Sequence, residues 1–103
     1  MNASLPPPAG QRSQLQGLAL CDWPLPAGQE ARATLLIVHG LGEHMGRYAA
    51  LAQALNGWGY AVRAYDQYGH GASEGPRGSL PTATRLLDDL ALVVDHTRAT
   101  VAA

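Results

Sequence analysis

The sequence predicts an α/β fold with a parallel sheet, entered through a β-hairpin, and three observations carry that prediction. Thr34-Leu35-Leu36-Ile37-Val38 is a continuous run, β-branched in part, with no polar alternation. A run of that kind buries both faces, as a central parallel strand does. Residues 60–65, Tyr-Ala-Val-Arg-Ala-Tyr, form a second strand of the same class. Helical periodicities over residues 47–56 and 80–98 follow the two strands in turn, so the order is βαβα.

Residues 1–11 hold Pro6, Pro7 and Pro8 and read as a disordered lead, leaving residues 12–103 as one partial domain. Leu15, Leu18 and Leu20 alternate in part with Ser13, Gln14 and Gln16, which suits a half-exposed strand over residues 13–20. Residues 21–25 are expected to return as the second arm of a hairpin, with weak turn chemistry at Gly17. Pro24, Pro26, Ala27 and Gly28 make a loop. After the run at residues 34–38, Tyr48, Leu51, Ala52 and Leu55 recur at helical spacing, and Gly57 or Gly59 ends that helix. A Gly-rich loop spans residues 66–78. In the last helix Ala83, Leu87, Leu90, Ala91 and Val94 are expected on one face, with Arg85, Asp88, Asp95 and Arg98 elsewhere. Ser79 is the expected N-cap, with Pro81 in the first turn.

Composition narrows the function. Apolar residues make up 47% and charged residues 15% of the 103, enough to build a buried core. The net charge is −1, with no basic surplus for nucleic acid. Every basic residue other than histidine is Arg, which excludes a G-x-x-x-x-G-K phosphate loop. Cys21 has no partner for a disulfide and, flanked by strand residues, reads as structural. No stretch approaches the roughly 18 apolar residues of a membrane span, and the first ten residues lack a signal-peptide pattern. The expected compartment is the cytoplasm.

The segment with chemical content is His39-Gly40-Leu41-Gly42-Glu43-His44-Met45-Gly46-Arg47-Tyr48, between a strand's carboxyl end and a helix. Open α/β sheets place ligands at such a point. Two readings compete. A dinucleotide site needs G-x-G-x-x-G, but Met45 stands where the third glycine belongs, and Gly46 is one place late. The better reading is a turn whose backbone N–H groups hold a developing oxyanion.

That segment resembles the H-G-x-G-E-H-x-x-R-Y motif of the monoacylglycerol lipase and lysophospholipase branch of the α/β-hydrolases, also described as serine aminopeptidase-like. Asp66-Gln67-Tyr68-Gly69-His70-Gly71-Ala72-Ser73-Glu74-Gly75 matches the same branch's D-x-x-G-H-G-x-S-E-G. The resemblance covers roughly residues 35–98. It implies an amino-terminal part of the hydrolase sheet that stops before the strand of the nucleophile. It further implies that Leu41 donates its N–H to the oxyanion, with His39, Gly40, Gly42, Glu43, His44, Arg47 and His70 shaping the site.

The implied activity is hydrolysis of a small-molecule or lipid ester by a Ser-His-acid triad, without metal or organic cofactor. The triad itself lies outside these motifs, so the chain alone is expected to be inactive. Other chemistries of the fold (peptidase, epoxide hydrolase, dehalogenase) and a non-catalytic fragment are the alternatives. A G-H-S-x-G sequence encoded beyond Ala103 would decide for an enzyme.

Gly71-Ala72-Ser73-Glu74-Gly75 also spells G-x-S-x-G. A nucleophile elbow needs a strand ending at the serine and a helix directly after it. Gly75, Pro76 and Gly78 prevent that helix, so Ser73 reads as a loop residue. His39 reads as a structural hydrogen-bonding residue. Adjacent Glu43 and His44 cannot ligate a metal as H-E-x-x-H does. Arg47 reads as an ion-pair partner of Glu43. His70 either lines the pocket entrance or faces solvent. Asp88 and Asp89 suit a solvated helix face, one of them bracing the loop, and Trp58 and Tyr60 read as core.

Overall fold

The computed structural model describes residues 10–26, 28–40, 43–78 and 80–100. Four strands form one sheet in the order β1-β2-β4-β3: β1 Gln11–Leu15, β2 Leu18–Trp23, β3 Thr34–Val38 and β4 Ala61–Tyr65. β1 and β2 are antiparallel, β2 and β4 are antiparallel, and β3 and β4 are parallel, with Thr34 opposite Ala61 and Val38 opposite Tyr65. Helix α1, Ala49–Gly57, crosses between β3 and β4, and helix α2, Arg85–Thr100, follows the long loop. The α/β class and the βαβα order are those expected.

The hairpin differs from its sequence reading. A single strand over residues 13–20 is replaced by two, because the chain turns at Gln16 and Gly17, which have φ of 46° and 84°. Two consecutive positive φ values define the tight turn whose twist matches paired strands. Gln11, assigned to the lead, is the first residue of β1, while residues 1–9 lie outside the described residues.

Alternation along the strands divides the core into two layers. Ala19, Cys21, Trp23, Val62 and Ala64 face α1 through Ala52. Leu18, Leu20 and Tyr65 face α2 through Val93. Cys21 is a buried core residue, as expected, and burial raises its thiol pKa. β3 is a correction to the fully buried central strand: it is the sheet's edge among the described residues, half-buried, with Val38 44% exposed.

Helix α1 begins two residues later than expected, after a 3₁₀ turn at Met45–Tyr48. It ends with Tyr60 N–H donating to Leu55 O and Gly59 N–H donating to Asn56 O, the paired bonds of a Schellman motif. Trp58, read as core, is 67% exposed just past that end, and Tyr60 is half-buried.

Helix α2 also starts late. Pro81 and Thr84 precede it, and Ser79 lies outside the described residues. Its expected apolar face is found only in part: Leu90 packs against the core and Val94 is half-buried, but Ala83, Leu87 and Ala91 are exposed, whereas Asp89 and Val93 are buried. Two ion-paired arginines explain the difference. Arg85 neutralises Asp89 inside, at 2.9 Å. Arg63 is buried on the sheet face beneath α2, where it binds Asp22 by two bonds, 2.6 and 2.9 Å. The same guanidinium donates to His96 Nδ1 and Thr97 Oγ1, at 3.0 and 3.1 Å. The helix therefore turns polar side chains inward to satisfy a buried charge, as such burial demands.

Candidate functional site

The carboxyl ends of the parallel strands β3 and β4 bring the two sequence motifs together. Asp66, one residue beyond β4, is 2% exposed. Its Oδ1 accepts from Met45 N–H at 2.7 Å, and its Oδ2 accepts from Ala72 N–H at 2.9 Å. One buried carboxylate thus ties the turn after β3 to the loop after β4. Gly71 makes the approach possible. It has φ +52°, and a Cβ there would fall inside the Asp66 carboxylate.

His39 sits at the end of β3, buried, and is a structural hydrogen-bonding residue as expected. Its Nε2 accepts from Gln67 N–H at 2.9 Å, which leaves the proton on Nδ1 to donate to Gly40 O at 2.7 Å. The Gln67 side-chain amide donates to the His39 carbonyl at 2.6 Å. His70 is 8% exposed, so the solvent-facing alternative is excluded. Its Nδ1 lies 2.9 Å from Tyr68 O, and its ring lies against that of His39, centroids 5.1 Å apart.

Glu43 closes the turn itself. Glu43 N–H donates to Gly40 O at 3.2 Å, and Glu43 Oε1 accepts from Gly40 N–H at 2.9 Å. Leu41 and Gly42, between them, lie outside the described residues. The Tyr48 hydroxyl donates to the same Oε1 at 2.7 Å. That bond and the Gly40 N–H hold the Glu43 pKa below its ordinary value, and the carboxylate in turn raises the Tyr48 pKa. Arg47 was the expected brace for Glu43. It stands 4.0 Å away, 64% exposed, so its contribution is small beside the tyrosine's. His44 is exposed and caps the 3₁₀ turn, its Nδ1 accepting from Gly46 N–H at 3.1 Å.

Ser73 has its hydroxyl committed to structure. It donates to the Asp66 carbonyl and accepts from Ala19 N–H at 2.8 Å, pinning the loop to β2. Arg85 braces the same loop from α2. It reaches Glu74 at 3.1 Å and lies over the Tyr68 ring, 4.2 Å from its centroid. Asp88 is exposed, and Asp89 is the one that braces, through Arg85. Sequence reasoning missed Asp66, Gln67 and the Tyr48 hydroxyl as the members that hold the site. The signal was present: Asp66 and Gln67 open the second motif and Tyr48 closes the first.

Among the described residues no helix is long and apolar enough to cross a membrane. Mouse monoglyceride lipase is 46% identical over 57 residues, which are 55% of this chain and 18% of the lipase. The structure of a monoacylglycerol lipase from Paleococcus ferrophilus superposes with a TM-score of 0.62 at 34% identity, covering 77% of this chain and 29% of that one. A soluble variant of monoglyceride lipase from Saccharomyces cerevisiae, solved with a substrate analogue, gives a TM-score of 0.67 at 26% identity, covering 86% and 31%. The chain spans less than a third of the length of each of these proteins. The family model described as serine aminopeptidase, S33, matches residues 29–102. With its fold, its two motifs and most of its length matched, the chain belongs to the serine aminopeptidase S33 family, as a monoglyceride-lipase-like α/β-hydrolase sequence.

Proposed function

We propose that this chain carries the oxyanion side of a serine hydrolase that cleaves carboxylic esters of the monoacylglycerol or lysophospholipid kind. The observation that carries the reading is the Asp66 carboxylate, which binds Met45 and Ala72 and so makes one braced unit of the two motifs. In this reading the Leu41 N–H meets the carbonyl oxygen as a serine attacks. The described residues before and after it are held, Gly40 by its bond to Glu43 and Met45 by its bond to Asp66. A preset donor costs no reorganisation as charge develops, and one such donor is worth about 10²–10³ in rate. The serine, its histidine and the acid come from chain other than these motifs. The names of the relatives, monoglyceride and monoacylglycerol lipases, support the ester class.

A chimera tests the proposal. Residues 35–98 of this chain replace the matching segment of mouse monoglyceride lipase, and hydrolysis of a monoacylglycerol is followed. Retained turnover is the expected result. A folded chimera that binds a serine-directed fluorophosphonate and yet turns over no ester would contradict it.

A further inference from the structure

We propose that the outward face of α1 docks this chain on an anionic lipid surface. The helix packs on the sheet through Ala49, Ala52 and Leu55. On its other side Ala50, Leu51, Ala54 and Gly57 are exposed, as is Trp58 just past its end. Leu51 is 47% exposed and Trp58 67%. Residues 51, 54 and 58 stand three and four places apart and so share one face. A helix on a protein surface ordinarily turns polar side chains to water. Here they lie elsewhere: Asn56 donates to the carbonyls of Trp23 and Tyr60, at 2.9 and 2.8 Å, and Gln53 is half-buried.

Charge, size and residue type together name the occupant. α1 carries no charged side chain, and an arginine stands at each end of the face. Arg47, four residues before Leu51, is 64% exposed, and its ion pair with Glu43 is loose at 4.0 Å. Arg32 is exposed at the other end, its stem along Gly59, where a Cβ would stand 3.3 Å from its Cδ. Such side chains lay their stems on apolar surface and keep the guanidinium level with lipid phosphates. The nine residues of α1 make a face about 14 Å long and about 10 Å wide, on the order of 150 Å². A stable dimer buries about 800 Å² on each partner, so a second copy finds too little here. A lipid surface needs only a few inserted side chains backed by cations. Trp58 is the residue type that settles at such a boundary, with an apolar body and one N–H for the headgroups. α1 also follows directly on the 3₁₀ turn that ends the first motif, so docking brings the Leu41 turn toward the layer in which monoacyl esters reside. That last point rests on the ester reading above; the charge and the size of the face do not.

The test is co-sedimentation of the full chain with vesicles of phosphatidylcholine, alone and mixed with phosphatidylglycerol, with circular dichroism taken on every variant. The chain should pellet with the mixed vesicles. Leu51→Gln/Trp58→Gln should weaken binding at least about tenfold. Arg32→Gln/Arg47→Gln should weaken it about fivefold per arginine on the mixed vesicles and hardly at all on phosphatidylcholine alone. Leu87→Gln, at a residue 68% exposed on α2, should change nothing. Lipid brominated in its acyl chains should quench part of the tryptophan emission of the unaltered chain, and Trp58→Phe should abolish that quenching. A chain that pellets with neither vesicle would overturn the proposal. So would a loss from Leu87→Gln equal to that from Leu51→Gln/Trp58→Gln, because binding would then not belong to α1. A dimer that Trp58→Gln dissolves, in a chain that ignores both vesicles, would assign the face to a second copy and overturn it too. No ester is present in the assay. Loss of turnover in the chimera with vesicle binding intact would therefore count against the ester reading alone, and the reverse against the docking face alone.

Discussion

Gln67 grips His39 twice, its main-chain N–H donating to His39 Nε2 at 2.9 Å and its side-chain amide to the His39 carbonyl at 2.6 Å. His39 follows β3 and Gln67 lies two residues beyond β4, so the grip fixes where the chain leaves the parallel pair. His39→Ala strands a buried N–H and leaves a cavity, and should cost about 2–4 kcal/mol. Gln67→Ala keeps the N–H bond and should cost about 1–2 kcal/mol. Urea denaturation midpoints check both, and a neutral His39→Ala would show that the grip is dispensable.

Asp66→Ala should cost about 2–4 kcal/mol, because the Met45 and Ala72 N–H groups both lose their acceptor. Gly71→Ala should produce a loss of the same order through a different cause, a left-handed φ and a Cβ placed on the carboxylate. If the cause is that collision, the Gly71→Ala/Asp66→Ala double variant is less destabilised than the sum of the singles. Full additivity would remove the argument.

The turn at Glu43 should be sensitive to acid. Its pKa is held below 4.5 by Tyr48 and by the Gly40 N–H, so the folded state binds the proton less readily than the unfolded state does. The contribution is complete above pH 4.5 and is lost as pH falls through the lowered value. Amide chemical shifts of Gly40 and Met45 followed below pH 5 should report that loss. A Tyr48→Phe chain should show it at higher pH.

Tyr65 carries the opposite sign. Burial, helped by the Asp89 charge, pushes its pKa from 10.0 up to about 12, and its hydroxyl has no hydrogen-bond partner among the described residues. The fold thus disfavours the phenolate. Stability is full below pH 10 and falls as pH rises from 10 toward 12. Tyr65→Phe should leave stability at pH 7 unchanged or raise it by up to about 1 kcal/mol, since an unsatisfied hydroxyl disappears. It should also blunt the alkaline loss, which a pH series of thermal melts would display.

The strands of the parallel pair were legible because nothing in Thr34-Leu35-Leu36-Ile37-Val38 competes with strand pairing, although the full burial expected of β3 is not found. The hairpin turn was not, because Gln16 supplies a positive φ in place of the Asn or Asp that marks such turns. The face of α2 was misread for an electrostatic reason. Periodicity counts Leu87 and Ala91 as core and Asp89 as surface, but it cannot know that Arg85 follows Asp89 inward or that Arg63 waits on the sheet. In the site, residue types and order announced the turn, and His39 took its expected part. The bracing by Asp66 and Gln67 depends on distances between segments 21 and 28 residues apart, which no local pattern records.

A pair of substitutions isolates the backbone N–H that Leu41 is proposed to give to the oxyanion. In the chimera, Leu41→Ala keeps the N–H and Leu41→Pro removes it. Leu41→Ala should show a near-normal kcat. Leu41→Pro should show a kcat lower by about 10²–10³ with KM little changed, in a protein with unaltered circular dichroism. Equal kcat in the two chimeras would contradict that proposal.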